Sequence, residues 1–349
     1  MFDDSQFGKR NKRGDWQPDS PASYPPVFVW PLRPVAGIKW LLTHYLFPWN
    51  TLYALIAVVT LYFLTPAIAQ MKTLSLGWVL VLLARNAALT LVFYGLLHAW
   101  FYIYKRQGQI FKFNGKWPSL DNPTFAFKRQ TADNILWTFI SGVPIWTAFE
   151  AMTLWAMASG WVPYVSWEAH PFYCFFILLC IPAFRDLHFY VVHRLLHWPP
   201  LYNAIHKLHH NNVNPGPWSG LSMHPVEHLF YFSGVLIHLL VPSHPFHVVF
   251  HMVHLGLAPA QGHLGFERVV IKGRLVDVGD YPHYLHHKYF ECNYADGVIP
   301  LDKWFGTFHD GSKEGQEAMD RRFQVRAQAV NAKQKTKNKK AGGSNGILD

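Results

Sequence analysis

The sequence predicts an all-α integral membrane protein: about four transmembrane helices with a cytoplasmic helical cap holding a histidine-rich di-metal site. Three observations predict it. Long apolar runs carry almost no charge, Lys and Arg crowd into alternate loops between those runs, and histidines recur at ordered spacings in the second half of the chain. Half of the 349 residues are apolar and only 15% are charged, against about 25% charged in an ordinary soluble domain.

Residues 1–45 are polar, Pro-rich and charged, and do not read as a cleavable signal peptide. Residues 46–134 form an N-terminal transmembrane hairpin and a basic loop. "WNTLYALIAVVTLYFLTPAIA" (49–69) is uncharged and about the ~20 residues that a bilayer span needs. The second run, 74–104, is interrupted only by Arg85 and Asn86. Residues 135–310 hold the third run (135–161, interrupted by Glu150), the fourth (from Pro171 to Val192) and nearly all the histidines. Intramembrane charges usually face the bundle interior and pair, so an Arg85–Glu150 contact is expected. The 229–256 stretch, broken at "PSHP" (242–245), reads as a re-entrant or interfacial hairpin. Residues 311–349, with "KQKTKNKK" at 333–340, read as a basic, disordered tail with a secondary attraction to anionic headgroups.

Charge sets the expected orientation. Lys9, Arg10, Lys12, Arg13, Arg33 and Lys39 precede the first run; Lys105, Arg106, Lys112, Lys116, Lys128 and Arg129 follow the second. Segments 70–75 and 162–170 carry one Lys and one Glu. By the positive-inside rule both termini and the 105–134 loop are cytoplasmic. The histidines then begin on the cytoplasmic side. Three cysteines offer no paired framework. The net charge of +10 suits a membrane surface or an acidic protein partner. The basic residues flank spans and no recognition module is visible, so no nucleic-acid partner is expected.

Eighteen of the 21 histidines lie between positions 188 and 309. "HRLLH" places His193 and His197 at i, i+4; "HKLHH" places His206, His209 and His210; "HYLHH" repeats that spacing as His283, His286 and His287. On a helix these offsets share one face. Asp280 is placed to cap the last of these helices, with Pro282 tolerated in its first turn. Any one of these histidines alone is better read as a satisfied core residue, but eight at these intervals read as metal ligands. His251 and His254 are intermediate, and His188 falls off the His193 face. Asp186, two turns before His193, could hold a ring N–H and fix its tautomer, or pair with Arg185; Glu227 carries the same two readings.

Zinc hydrolases use three protein ligands and commonly HExxH; that motif is missing, and eight imidazoles are too many for one zinc. Imidazole suits Fe, Cu, Ni and Zn, and the set divides naturally over two ions. The cluster is nearly free of carboxylate, unlike the Glu and ExxH sites of soluble di-iron bundles, which favours an electrophilic oxidant for an unactivated C–H bond. A hydrophobic substrate entering from the bilayer accounts for mounting the site on membrane spans.

The spacing HxxxH, HxxHH, HxxHH resembles the fatty acid hydroxylase/sterol desaturase superfamily of membrane di-iron enzymes, over roughly residues 135–310. "GPWSGLSMHPVEHL" (216–229) is similar to the family's AHP[VIL]E segment, which implies a ligand role for His224. "QGHLGFE" (261–267) is similar to its HSG[YF]E segment, with Leu264 in place of Ser, which implies His263 as a further ligand. "HYLHHKYFECNYADGVIPLDKWFGTF" (283–308) is similar to its HxxHHxxFxxNYG…WDxxFGT ending, with Ala295 and Leu301 as departures. The resemblance thus implies ten histidine ligands: His193, His197, His206, His209, His210, His224, His263, His283, His286 and His287. It implies two Fe ions per chain, O₂, and a membrane lipid substrate.

The chain has no GxGxxG segment, flavin motif or HPGG haem segment, so electrons must come from a separate donor, cytochrome b5-like or ferredoxin-like. Within the family the sequence is most similar to C-5 sterol desaturases. Fatty-acyl, sphingoid-base and ether-lipid hydroxylases share the boxes. Aromatics such as Trp218, Phe230, Tyr231 and Phe232 could wall a sterol pocket or face lipid. A His-rich metal transporter is the alternative outside the enzymes, disfavoured because its ligands should line a path through the spans.

Overall fold

The structure is a computed structural model and describes residues 2–342, with side chains through residue 328. Helices dominate. In chain order they are α1 (Pro34–Trp40), α2 (Trp49–Leu64), α3 (Leu76–His98), α4 (Gln130–Trp137), α5 (Val143–Ala158), α6 (Pro171–Leu196), α7 (Pro199–Leu201), α8 (Lys207–His210), α9 (Pro225–Phe232), α10 (Pro245–Gly262), α11 (Tyr281–Tyr289), α12 (Leu301–Trp304) and α13 (Lys313–Gly342). Among the described residues three continuous helical stretches are long and apolar enough to cross a membrane: Leu76–Ile103, Gln130–Ala158 and Pro171–Leu196. A fourth candidate is the pair Pro34–Leu46 and Trp49–Leu64, which meet at a 43° bend.

The bend has a sequence origin: Phe47, in extended conformation between the two segments, precedes Pro48, whose ring disfavours a helical conformation there. Helix α2 has 16 residues and stops at Leu64, just before Thr65, whose helical conformation is disfavoured by the ring of Pro66. At 1.5 Å per residue it is about 24 Å long, short of a ~30 Å hydrocarbon core. The helical segment before it, with Val35 and Ile38 exposed, continues the apolar surface. Phe63, Leu91, Val92, Phe172 and Phe176 are also exposed, and surfaces so apolar belong against lipid.

Among the described residues one ionic contact joins two spans, the expected one. Arg85 Nη2 donates to Glu150 Oε1 at 2.6 Å, and Asn86 and Trp146 donate to Glu150 Oε2 at 3.0 and 3.1 Å. Every charge is partnered, as a buried pair requires. Helix α10 is buried all round, against α2, α5 and α6. Gly256 permits the closest of these approaches, since a Cβ there would lie 2.2 Å from Trp146. The chain breaks ahead of α10, which starts at Pro245, close to the expected "PSHP" interruption.

Two features differ from the expectations for the chain's ends. β1 (Gly8–Arg10) pairs antiparallel with β2 (Trp16–Pro18), and β3 (Arg268–Ile271) with β4 (Arg274–Asp277). The N-terminal hairpin is not a loose polar segment: Trp16 is 2% exposed, packed with Phe111, Phe113, Tyr281, Tyr284 and Met319. The second departure is the tail. Residues 313–342 are helical, where the polar composition predicts disorder, and Met319 anchors the helix in that same cluster. Residues 343–349 of the expected tail lie outside the described residues.

Candidate metal centre

Nine of the ten expected histidines converge in two groups. His193, His197, His206, His210 and His286 form one, and His209, His263, His283 and His287 the other; within each, the candidate ligand atoms lie within 4.8 Å of one another. The partition explains the box spacing. Each HxxHH sends its i, i+4 pair to one group and its i+3 residue to the other. His206 and His210 serve the first group while His209 crosses to the second; His283 and His287 serve the second while His286 crosses to the first. Residues i and i+4 stack on one helix face, and i+3 is offset on the opposite flank.

Local structure fixes each box. His193 sits in the last turn of α6 and His197 caps it, with its N–H on the His193 carbonyl at 3.0 Å. His206 closes a π-helical turn, Tyr202–His206, that runs into α8. His263 follows α10. Asp280 caps α11 by accepting from the His283 N–H at 3.1 Å, as expected. Pro259, inside α10, lacks the N–H that would bond the Leu255 carbonyl; the Tyr231 hydroxyl donates to that carbonyl at 2.9 Å.

The ring tautomers test whether a cation fits. Nδ1 of His193 meets the Tyr294 carbonyl at 2.8 Å, His209 the Ser222 carbonyl at 3.3 Å, His263 the Pro259 carbonyl at 2.8 Å, and His286 the Cys292 carbonyl at 2.6 Å. A carbonyl only accepts, so each of these Nδ1 atoms carries the proton and each Nε2 is a bare lone pair. Yet His263 Nε2 lies 3.3 Å from His209 Nε2, and 3.0 Å from the Nε2 atoms of both His283 and His287. In the first group His210 Nε2 lies 3.0 Å from His206 Nε2 and 3.2 Å from His286 Nε2. The lone pairs of His209 and His263, which face each other at 3.3 Å, repel unless a cation lies between them. Protonating a ring is no remedy: burial pushes His206 down to about 3 and His263 to about 4, and holds His209, His210, His283, His286 and His287 well below the usual imidazole range. The donor set fits two metal ions.

The supporting shell is only partly the expected one. Glu227 Oε1 lies 2.7 Å from His206 Nδ1, both groups being buried. Burial raises the carboxyl well above its usual range and lowers the imidazole, so without a cation the contact joins two neutral groups. Asp186 holds no ring N–H: it accepts the backbone N–H groups of Asp296 and Ile299 at 2.7 and 2.6 Å. Arg185, its alternative partner, pairs instead with Asp296. His224 is in neither group. It is the N-cap of α9, accepting from the Val226 N–H at 3.2 Å; with Pro225 following it, its backbone is set for helix initiation.

Residues that sequence reasoning missed act through the backbone. Asp302 accepts the N–H groups of Tyr294 and Ala295 at 2.9 and 2.7 Å, which steadies the carbonyl beneath His193. Asn293, at φ +53°, bonds Pro282 and His309 and ties this loop to α11. Asn293 lies in the Asn-Tyr pair after the last box and Asp302 in the LDKWFGT segment, the sequence signals that could have found them. A cavity of about 360 Å³ opens on both groups, through His193 and His206 on one side and His209, His263 and His283 on the other. Of the aromatics expected near it, Tyr231 lines it, Trp218 and Phe232 are core residues, and Phe230 is exposed.

Comparison with known proteins agrees with this geometry. Residues 177–307 match the fatty acid hydroxylase family. A Delta(7)-sterol 5(6)-desaturase of Gibberella zeae is 33% identical over 142 residues, 36% of this chain and 39% of that protein. One from Aspergillus fumigatus is 27% identical over 205 residues, 56% of this chain and 55% of the relative. Cholesterol 25-hydroxylase of Homo sapiens is 34% identical over 144 residues, 39% of this chain and 52% of the relative. The chain therefore spans between about two fifths and just over half of these relatives. No solved structure matches. Residues 177–307, which hold the converging histidines, match the fatty acid hydroxylase family, and over this part the chain resembles the Delta(7)-sterol 5(6)-desaturases.

Proposed function

We propose that this protein is an O₂-dependent di-iron oxidoreductase acting on a C–H bond of a membrane lipid, as a sterol C-5 desaturase. The observation that carries the reading is the convergence of nine imidazoles in groups of five and four, both of which open onto a cavity of about 360 Å³. Bound irons would supply the chemistry that reduces O₂ and removes hydrogen from carbon. The chain's own residues do the rest. Carbonyl-held Nδ1–H groups aim the Nε2 lone pairs, Glu227 orients His206, and the cavity wall holds the lipid against the ligand set. Forming one C=C bond while reducing O₂ to water consumes two electrons and two protons from outside; hydroxylation draws the same supply. A separate donor, cytochrome b5-like or ferredoxin-like, is therefore required, and the basic loops suit an acidic one.

The Lys/Arg distribution supports a cytoplasmic site with both termini on that side of the membrane, endoplasmic reticulum or bacterial inner membrane. Reporter fusions after Gly115 and within 162–168 should read cytoplasmic and external; the reverse result would overturn the orientation. The reaction is tested by expressing the full chain in yeast lacking its own C-5 sterol desaturase. A 5,7-diene sterol, with about two irons per purified chain, is the expected result. An unchanged sterol profile with new hydroxylated acyl or sphingoid lipids would move the assignment to a hydroxylase, and metal binding without O₂ consumption would favour a transporter.

A further inference from the structure

The cavity has a polar wall apart from the histidine groups. Asn50 and Tyr53 of α2, Arg185 of α6, Tyr231 of α9 and His254 of α10 all line it. Arg185 precedes His193 on α6 by eight residues, about 12 Å of helix rise, so this wall is set back from the metal ligands. Among its polar atoms three are buried and lack a partner: Tyr53 Oη, Arg185 Nε and His254 Nδ1. Buried polar atoms are nearly always paired, and a cluster of three unpaired ones on one cavity is a recognition surface in want of its ligand.

Their hydrogen-bonding characters can be assigned. Asn50 Nδ2 donates to the Tyr45 carbonyl at 2.6 Å, which fixes the amide so that Oδ1 faces His254 Nε2 at 2.7 Å. His254 Nε2 therefore carries the proton, and its free Nδ1 is an acceptor. Arg185 Nε–H is a free donor. The Tyr53 hydroxyl can act either way, and its ring lies 4.9 Å from the His254 ring, centroid to centroid. The Arg185 guanidinium lines the same cavity as Tyr53, Tyr231 and His254. Its charge is already matched by Asp296. The wall thus offers an acceptor, a donor and an adaptable hydroxyl, with no net charge left to neutralise an anion.

We propose that Tyr53, Arg185 and His254 bind the hydroxyl group of a neutral lipid, anchoring the substrate by its polar end inside the cavity. A hydroxyl both donates and accepts, which this trio satisfies. A carboxylate or phosphate only accepts, leaving His254 Nδ1 unmet and its own charge uncompensated. An acyl chain whose headgroup stays at the membrane surface would leave all three atoms bare. The inference rests on the proposed function only in taking the cavity to receive the lipid.

The test measures binding by the purified full chain in nanodiscs, using a Δ7-sterol and its 3-O-methyl ether, and separately a long-chain alcohol and the acid of the same length. The wild type should bind the sterol about tenfold more tightly than its ether, since a buried pair left unmet costs about that much. Tyr53→Phe should shrink the preference to within about twofold at unchanged iron content and melting temperature, because the removed hydroxyl bonds nothing in the protein. His254→Phe, which removes the acceptor, serves as the second variant. If sterols fail to bind but the alcohol is preferred over the acid and Tyr53→Phe abolishes that preference, the anchor stands and the sterol assignment falls. A wild type indifferent to the hydroxyl, or a preference that survives both variants, overturns the anchor.

Discussion

Glu227→Gln isolates what the buried carboxylate does for the metal centre. The side chain is nearly isosteric and its carbonyl can still accept from His206 Nδ1, but the negative charge that a bound cation would sustain 2.7 Å from that ring is gone. Charge-assisted bonds are roughly twice as strong as neutral ones. Loss of such a partner typically lowers metal affinity by about 10–100-fold, which is about 1.4–2.7 kcal/mol. His206 serves only the five-histidine group, so only one of the two ions should be affected. The assay is iron retained per chain during equilibrium dialysis against stepped chelator. Wild type should lose its two irons in a given range; the variant should lose one at about 10–100-fold lower free chelator and keep the other. A superimposable curve would refute the role given to Glu227, and equal weakening of both ions would refute the division into two groups.

His224→Ala should leave the same dialysis curve unchanged and cost about 1 kcal/mol of stability, as loss of an N-cap does; loss of an iron would restore the ligand role its motif implies. Arg85→Met leaves Glu150 buried without its cation and should cost about 3–5 kcal/mol, with Arg85→Met/Glu150→Leu recovering most of it in thermal melts; single and double variants that melt alike would show the pair to be inert. Chelator-treated protein should lose stability as pH falls below about 6.5. Burial depresses the folded-state values of histidines such as His206 (to about 3) and His263 (to about 4), so the unfolded chain binds more protons in that window. Melting temperatures that stay flat from pH 7.5 to 5.5 would contradict neutral, buried rings.

The spans and the boxes were legible because both are patterns of side-chain type at a fixed period. Helix α6 could be drawn from its apolar run, and the face shared by His206, His209 and His210 from 3.6-residue geometry. What the period cannot carry is which ion each ring serves, since the crossing of His209 and His286 depends on how α8 and α11 face one another. Asp186 and Glu227 were equivalent in sequence, each an acid near a histidine. Tertiary placement separated them, sending one to backbone N–H groups and the other to a ring. His224 shows a motif residue doing a local task, capping the helix that Pro225 begins. The N-terminal hairpin was illegible because a single buried tryptophan among polar residues makes no periodic signal.

That hairpin bears on the order in which the molecule can be built. Trp16 emerges early in synthesis, yet the residues that enclose it are Phe111 and Phe113, then Tyr281 and Tyr284, and last Met319. Tyr281 and Tyr284 belong to α11, the helix that carries His283, His286 and His287. Contacts so distant in sequence close slowly, since the chain entropy between them must be lost first. The membrane helices can insert as they are translated, but the metal-bearing helix gains its outer cover only when the beginning of the chain, its middle and its last helix have met. Iron delivered before α11 is made would find His193, His197, His206 and His210 in place and His286 still to come, so completion of the centre is expected to wait for that helix.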